Sequence, residues 1–232
     1  MGEHIVKQFD TDLENIRNRV LQMGGQVEQQ IVKAMEGLAE GDMPLIEQTI
    51  ANDDLVNRQE VELDEACTNI IARRQPAAVD LRMVMMVVKT ITDLERIGDE
   101  AKKIAKKARS IHSADTQFAP RIELRHVAGL AIEMLRKALD AFARLDLATA
   151  AQVVRQDREV DAEFKGITRQ LVTFMMEDPR TISRALDLLF IAKAIERIGD
   201  HAKNISEYVV YMAKGRDVRH IGLAGIEKEV AS

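Results

Sequence analysis

The residues of this chain best suited to chemistry are acids in pairs four apart. Glu95–Asp99 and Glu196–Asp200 are the clearest, with Asp157–Asp161 and the half-neutral Asp53–Asn57 matching them in spacing. That spacing sets both side chains of a pair on one face of a helix. Carboxylates that converge repel one another, and leaving one buried and unpaired costs roughly several kcal/mol. Water or a cation relieves the repulsion. An all-oxygen ligand set suits hard divalent ions or iron: Mg, Ca, Mn or Fe. Glu95, Asp99, Glu196, Asp200, Asp157, Asp161, Asp53 and Asn57 are therefore candidate metal ligands, and the amide of Asn57 predicts weaker binding at its cluster. The plainer reading is a solvated helix face on which Lys102, Lys103 and Lys203 pair with Asp99 and Asp200.

Spacing from turns is what brings these pairs together. Antiparallel helices face each other at positions equidistant from the turn that joins them. Asp53 with Asp99, and Asn57 with Glu95, are symmetric about Pro76, while Asp157 with Asp200, and Asp161 with Glu196, are symmetric about Asp178-Pro179. Each acid pair thus meets another at one depth. The arrangement is duplicated: DLERIGDEAKKI (Asp93 to Ile104) recurs as AIERIGDHAKNI (Ala194 to Ile205) with an offset of 101. A weaker match with offset 104 pairs Asp53 with Asp157 and Val56 with Val160.

Each copy parses into three helices. The first runs from about Gln8 to Glu40 and stops at Gly41. Asp42 caps the second, with Pro44 in its first turn. The second runs to about Arg73 and breaks at Gln75-Pro76, and the third runs from about Asp80 to Ser110. In the second copy Asp146 is the cap and Asp178-Pro179 the break. Apolar residues recur every three to four positions, as in Ile46, Thr49, Asp53, Val56, Glu60, Leu63, Cys67 and Ile70, and the inward lines of the third and sixth helices begin Leu81, Val84, Val88, Ile91 and Ile182, Ala185, Leu189, Ala192. The fold class is all-α: two tandem three-helix bundles, 1–115 and 116–220, joined through Ser113 to Pro120, with a flexible tail at 221–232.

Composition agrees. The 232 residues are 46 % hydrophobic and only 3 % aromatic, without Trp, which favours helices over strands. A net charge of −5 and the lack of a basic stripe or stacking aromatics argue against a nucleic-acid partner. The lone Cys67 fits a reducing compartment, and no run approaches the roughly 20 apolar residues of a membrane span. A cytoplasmic location follows as the expectation.

Other residues read as structure. Cys67 sits on an inward line, and Met83, Met85 and Met86 are core packing or an adaptable surface. Glu123-x-x-His126 is half of a di-iron motif with no second half. His112 and His126 read as surface or capping residues, and His201 is the histidine near an acid cluster. Arg73, Arg74 and Arg82 surround the first turn, as a solvated cap or a docking site for an acidic partner.

The segments RRQPAAVDLRMVM (Arg73 to Met85), TITDLERIGDEA (Thr90 to Ala101) and AIERIGDHAKNI closely resemble the PhoU family of phosphate-signalling regulators, as do MGGQVEQQI (Met23 to Ile31) and YMAKGRDVRHIG (Tyr211 to Gly222). The resemblance implies two tandem three-helix bundles, cytoplasmic and usually homodimeric, that are not enzymes. It implies a negative regulator of the phosphate-starvation response. Its partners would be a phosphate sensor histidine kinase and the ATPase subunit of the phosphate ABC transporter. Membrane association would be peripheral, through those partners. The family's Glu/Asp-x-x-x-Asp motif, which holds metal clusters in some members, falls on Glu95–Asp99 and Glu196–Asp200. A competing expectation is a carboxylate metalloenzyme with two ions about 4 Å apart. No glycine-rich phosphate loop is present, so phosphate sensing would come through partners.

Overall fold

Turn chemistry divides the chain. The computed structural model describes residues 2–113, 122–219 and 221–231. Helix α1 spans Gly2–Glu40 and ends at Gly41, whose φ of 71° is the left-handed conformation that glycine adopts freely. Helix α2 spans Met43–Arg74; the Asp42 carboxylate accepts from the Leu45 amide, and Pro44 occupies the first turn. Gln75 takes up a φ of 48° and closes α2 before Pro76, and α3 spans Ala78–Ser113. Helix α4 spans Arg125–Arg144, and Asp146 caps α5, Leu147–Glu177, through the Ala148 and Thr149 amides. A 3₁₀ turn, Pro179–Thr181, leads into α6, Ile182–Lys214. Among the described residues every regular element is helical.

The inward line of α2 is buried at each position listed from its periodicity except Glu60, which is half exposed. Helix α1 contributes Leu13, Ile16, Val20, Met23, Val27, Ile31 and Ala34 to the same core. Helices α3 and α6 are different: each is buried on more than one face. Within each copy the third helix packs on the other two, and α3 also packs on α6, the most extensive pair in the molecule. The halves are therefore joined along a long seam. The seam obeys the repeat: the Lys89 ammonium lies 5.6 Å from the Tyr208 ring, and at the positions 101 residues away Lys107 lies 4.8 Å from Phe190. Arg17 donates to the Ala143 carbonyl, and Arg136 meets Glu28 at 2.6 Å, tying α1 to α4.

Two features differ from the sequence reading. The periodic line placed Leu81 and Ile182 inward; they are 37 % and 41 % exposed, because the first turns of α3 and α6 project past the core. The stretch read as a flexible tail holds a helix, α7, Gly222–Ala231, whose Ile226 is buried and whose Glu227 pairs with Arg155 of α5 at 2.7 Å. Most of the linker expected at Ser113 to Pro120 lies outside the described residues, as does Ser232 of the tail.

Candidate functional site

In the first copy the site is built on Asp53, which α2 places on its inward line with no exposed surface. The Lys102 ammonium of α3 donates to its Oδ2 at 2.7 Å, and the Asn57 amide donates to the same oxygen at 3.3 Å. Asp53 Oδ1 and Asn57 Oδ1 are buried with no hydrogen-bond partner among the described residues. The Glu95 carboxyl is held above the usual carboxylate range, first by burial, then by the charges of Asp99, Glu60 and Asp53. Gly98 permits the approach of the helices here: a Cβ at that position would lie 3.3 Å from Val56 and 3.8 Å from Asp53 Oδ1. Asp53, Asn57, Glu95 and Asp99 thus stand at one level, together with Glu60.

The second copy repeats the pattern. Asp157, 7 % exposed, receives the Lys203 ammonium at 2.7 Å. Glu196 is held by Lys193 one turn away, at 2.6 Å and 2.7 Å. Asp200 is raised by burial first, then by Glu196 and Asp157, with Lys203 and Lys193 opposing. Asp161, half buried, makes no hydrogen bond or ion pair among the described residues and is not among the charges that shift Asp200. The register therefore gathers three of the four acids and leaves Asp161 aside.

The lysines do not act as the plainer reading placed them. Lys102 and Lys203, 101 residues apart, reach across the helix–helix seam to Asp53 and Asp157 rather than along their own helix to Asp99 and Asp200. Each long side chain lays an internal cation on the most buried acid of its cluster. As they stand, no three His, Cys, Asp or Glu side chains among the described residues are grouped closely enough to ligate one ion. The donor chemistry suits a hard cation; the present side-chain positions do not, because an ammonium occupies the gap.

The α3–α6 seam holds a second set of buried charges that periodicity did not reveal. His201 was singled out for its place beside Asp200; instead its Nδ1–H donates to Asp93 Oδ1 at 2.7 Å across the seam, and Asn204 donates to the same oxygen at 3.2 Å. Its Nε2 is buried and has no partner among the described residues. Glu100, the counterpart of His201 in the repeat, is 3 % exposed and bridges Lys103 at 2.9 Å and Arg197 at 3.2 Å. The clue lay in the repeat, where the unlike positions Asp93/Ala194, Glu100/His201 and Lys103/Asn204 each supply a contact to the other copy. His112 and His126 read as expected: His126 is exposed, and His112 Nε2–H donates to the Leu38 carbonyl at 2.8 Å, closing α3 on α1.

What the chain presents is a duplicated helical body with charge clusters repeated in each half. The PhoU domain matches residues 20–108 and 124–209, one per half. The chain is 47 % identical over 232 residues to the phosphate-specific transport system accessory protein PhoU homolog of Pseudomonas aeruginosa, covering 99 % of this chain and 95 % of that one. It is 47 % identical to the Escherichia coli K12 protein of that name, covering 100 % and 95 %. A crystal structure of PhoU from Pseudomonas aeruginosa superposes with a TM-score of 0.86 at 45 % identity, covering 90 % of this chain and all of that one. The phosphate transport system regulatory protein PhoU from Streptococcus pneumoniae gives 0.84 at 27 % identity, covering 90 % and 99 %. The chain belongs to the PhoU family. It is not an enzyme but an accessory protein.

Proposed function

We propose that this protein is a cytoplasmic adaptor that restrains the phosphate-starvation response and modulates phosphate uptake. A role in phosphate transport is supported by family membership over essentially the whole chain. The observation that carries the adaptor reading is that match, together with a rigid body whose buried acids are answered by internal lysines. Such a body works through contacts with other proteins. The partners are the phosphate sensor histidine kinase and the ATPase subunit of the phosphate ABC transporter, and the adaptor acts as a homodimer. No helix among the described residues is long and apolar enough to cross a membrane. Membrane association, in this reading, runs through the partners.

The test is capture of each purified partner by the purified protein, in high and in low phosphate. Capture of either that changes with phosphate supports the reading. Failure to bind both, with and without phosphate or divalent metal, removes it.

A second reading, metal capture, is favoured by the unpartnered oxygens of Asp53 and Asn57 and by the raised carboxyls of Glu95 and Asp200. Glu95, Asp99, Asp53 and Asn57 would hold an ion in the first half, and Glu196, Asp200 and Asp157 in the second, once Lys102 or Lys203 swings out. Elemental analysis of purified protein before and after Glu196→Ala with Asp200→Ala tests it: metal that stays, or is never present, rules out the second cluster.

A further inference from the structure

A cleft of about 360 Å³ lies between the N-terminal half of α3 and the C-terminal end of α6. Its apolar wall is Leu81, Met85 and Met86, its aromatic wall Tyr208 and Tyr211. Leu81 and Met85 are 37 % and 42 % exposed, and Val79 beside them is 58 % exposed. Over this apolar floor stand two cations, Arg82 and Lys89, that form no ion pair among the described residues. Arg82 has its Nε buried without a partner, and its guanidinium makes no hydrogen bond or ion pair among the described residues. It stands 3.5 Å from where a side chain on Gly215 would begin, beside the negative end of α6, which gives it a favourable field but no bond. Lys89 has the Tyr208 ring at 5.6 Å as its contact.

The cleft's other charges cancel or are diluted. Asp217 is held by Arg219, with Lys89 acting on it from further off. Glu207 is buried and also answers to Lys203. The internal repeat makes the imbalance plain. At the related place in the other half, Asp187 neutralises Lys107 at 2.8 Å and accepts from Ser110 at 3.2 Å. The residue 101 positions before Asp187 is Met86, so the acid that completes one place is missing from the other. On a chain of net charge −5, this is a local positive site set in an apolar wall.

We propose that this cleft is a docking site for a segment of a partner protein that carries a carboxylate beside an apolar side chain. The carboxylate meets Arg82 and Lys89, bidentate on the guanidinium; the apolar neighbour covers Leu81 and Met85. The inference rests on the adaptor reading and locates the face through which it works. An aliphatic floor with cations at its rim discriminates against a purely polar anion, which would leave the floor wet, and against a purely apolar segment, which would leave Arg82 unanswered.

The experiment uses full-length protein with 13C-methyl methionine, titrated with the purified transporter ATPase subunit and, separately, with the cytoplasmic part of the sensor kinase. With at least one of them the Met85 methyl signal is expected to shift or broaden. Arg82→Glu with Lys89→Glu is expected to weaken that partner at least tenfold, and Met85→Ser severalfold. The charge-matched control Arg58→Glu with Lys165→Glu should leave affinity unchanged. The double variant loses the favourable field of Arg82 at the end of α6 and the Lys89–Tyr208 contact, so a melting temperature lowered by a few degrees is expected with the fold retained; Met85→Ser gives an independent readout should it not fold. If a partner binds while the Met85 signal stays still and both variants bind as wild type, this docking site is wrong and the adaptor reading survives. Blocking of the partner by inorganic phosphate seated in the cleft would also overturn it, in favour of a free anion. If neither partner binds wild type, the adaptor reading fails and takes the docking site with it.

Discussion

Single side chains set the electrostatics. Asp53 and Asp157 each depend on one lysine, so Lys102→Met leaves a fully buried carboxylate with only the Asn57 amide. The expected loss is about 3 kcal/mol near neutral pH, read from urea unfolding. Glu207 works the other way. Burial pushes its carboxyl up to about 7 in the folded chain, against 4.5 as the ordinary value. Between those pH values the unfolded chain releases this proton and the folded chain keeps it, so the group lowers stability progressively from about pH 4.5 to 7 and by a constant amount above. Glu207→Gln should therefore stabilise the protein at pH 8 by on the order of 2 kcal/mol and not at pH 4.5. The comparison of unfolding midpoints of the two proteins at both pH values checks the sign.

Helices and turns were largely legible in the sequence because their signals are local. Asp42, Pro44, Gly41, Gln75-Pro76, Asp146 and Asp178-Pro179 each act within a turn of where they stand, and the structure uses each as read. Equidistance from Pro76 and from the Asp178-Pro179 break was enough to put Asp53 level with Asp99 and Asp157 level with Asp200. Contacts between copies were not legible. Periodicity reports one buried stripe per helix, whereas α3 and α6 are buried on further faces, so Asp93, Glu100 and the true partner of His201 escaped it. Lysine reach was missed for a related reason: a four-carbon stem crosses a seam as easily as it follows its own helix. The two glycines of the repeat also differ. A Cβ at Gly199 would make ordinary contact, at 3.5 Å from Val160, while at Gly98 the neighbours stand at 3.3 and 3.4 Å. Gly199→Ala should stabilise by up to about 1 kcal/mol through helix propensity, and Gly98→Ala should gain less or lose stability. Thermal unfolding of the two variants side by side decides it.

Over the whole molecule, the α3–α6 seam governs behaviour. Because the most extensive helix pair joins the two copies, the repeat does not behave as two independent bundles. Calorimetry should give one transition, with equal calorimetric and van't Hoff enthalpies. His201→Ala, which strips Asp93 of its imidazole inside the seam, should lower that single transition by a few degrees rather than split it. Two separate transitions would show that the seam does not couple the halves. A body fused in this way presents fixed faces, as the proposed adaptor role requires.

Restraint of the phosphate-starvation response is tested most directly in cells. A deletion strain grown in abundant phosphate is assayed for alkaline phosphatase, with and without the chain supplied on a plasmid. The account predicts high activity in the deletion strain and repression on complementation. Phosphatase that stays low in the deletion strain, or that the restored chain does not repress, contradicts it.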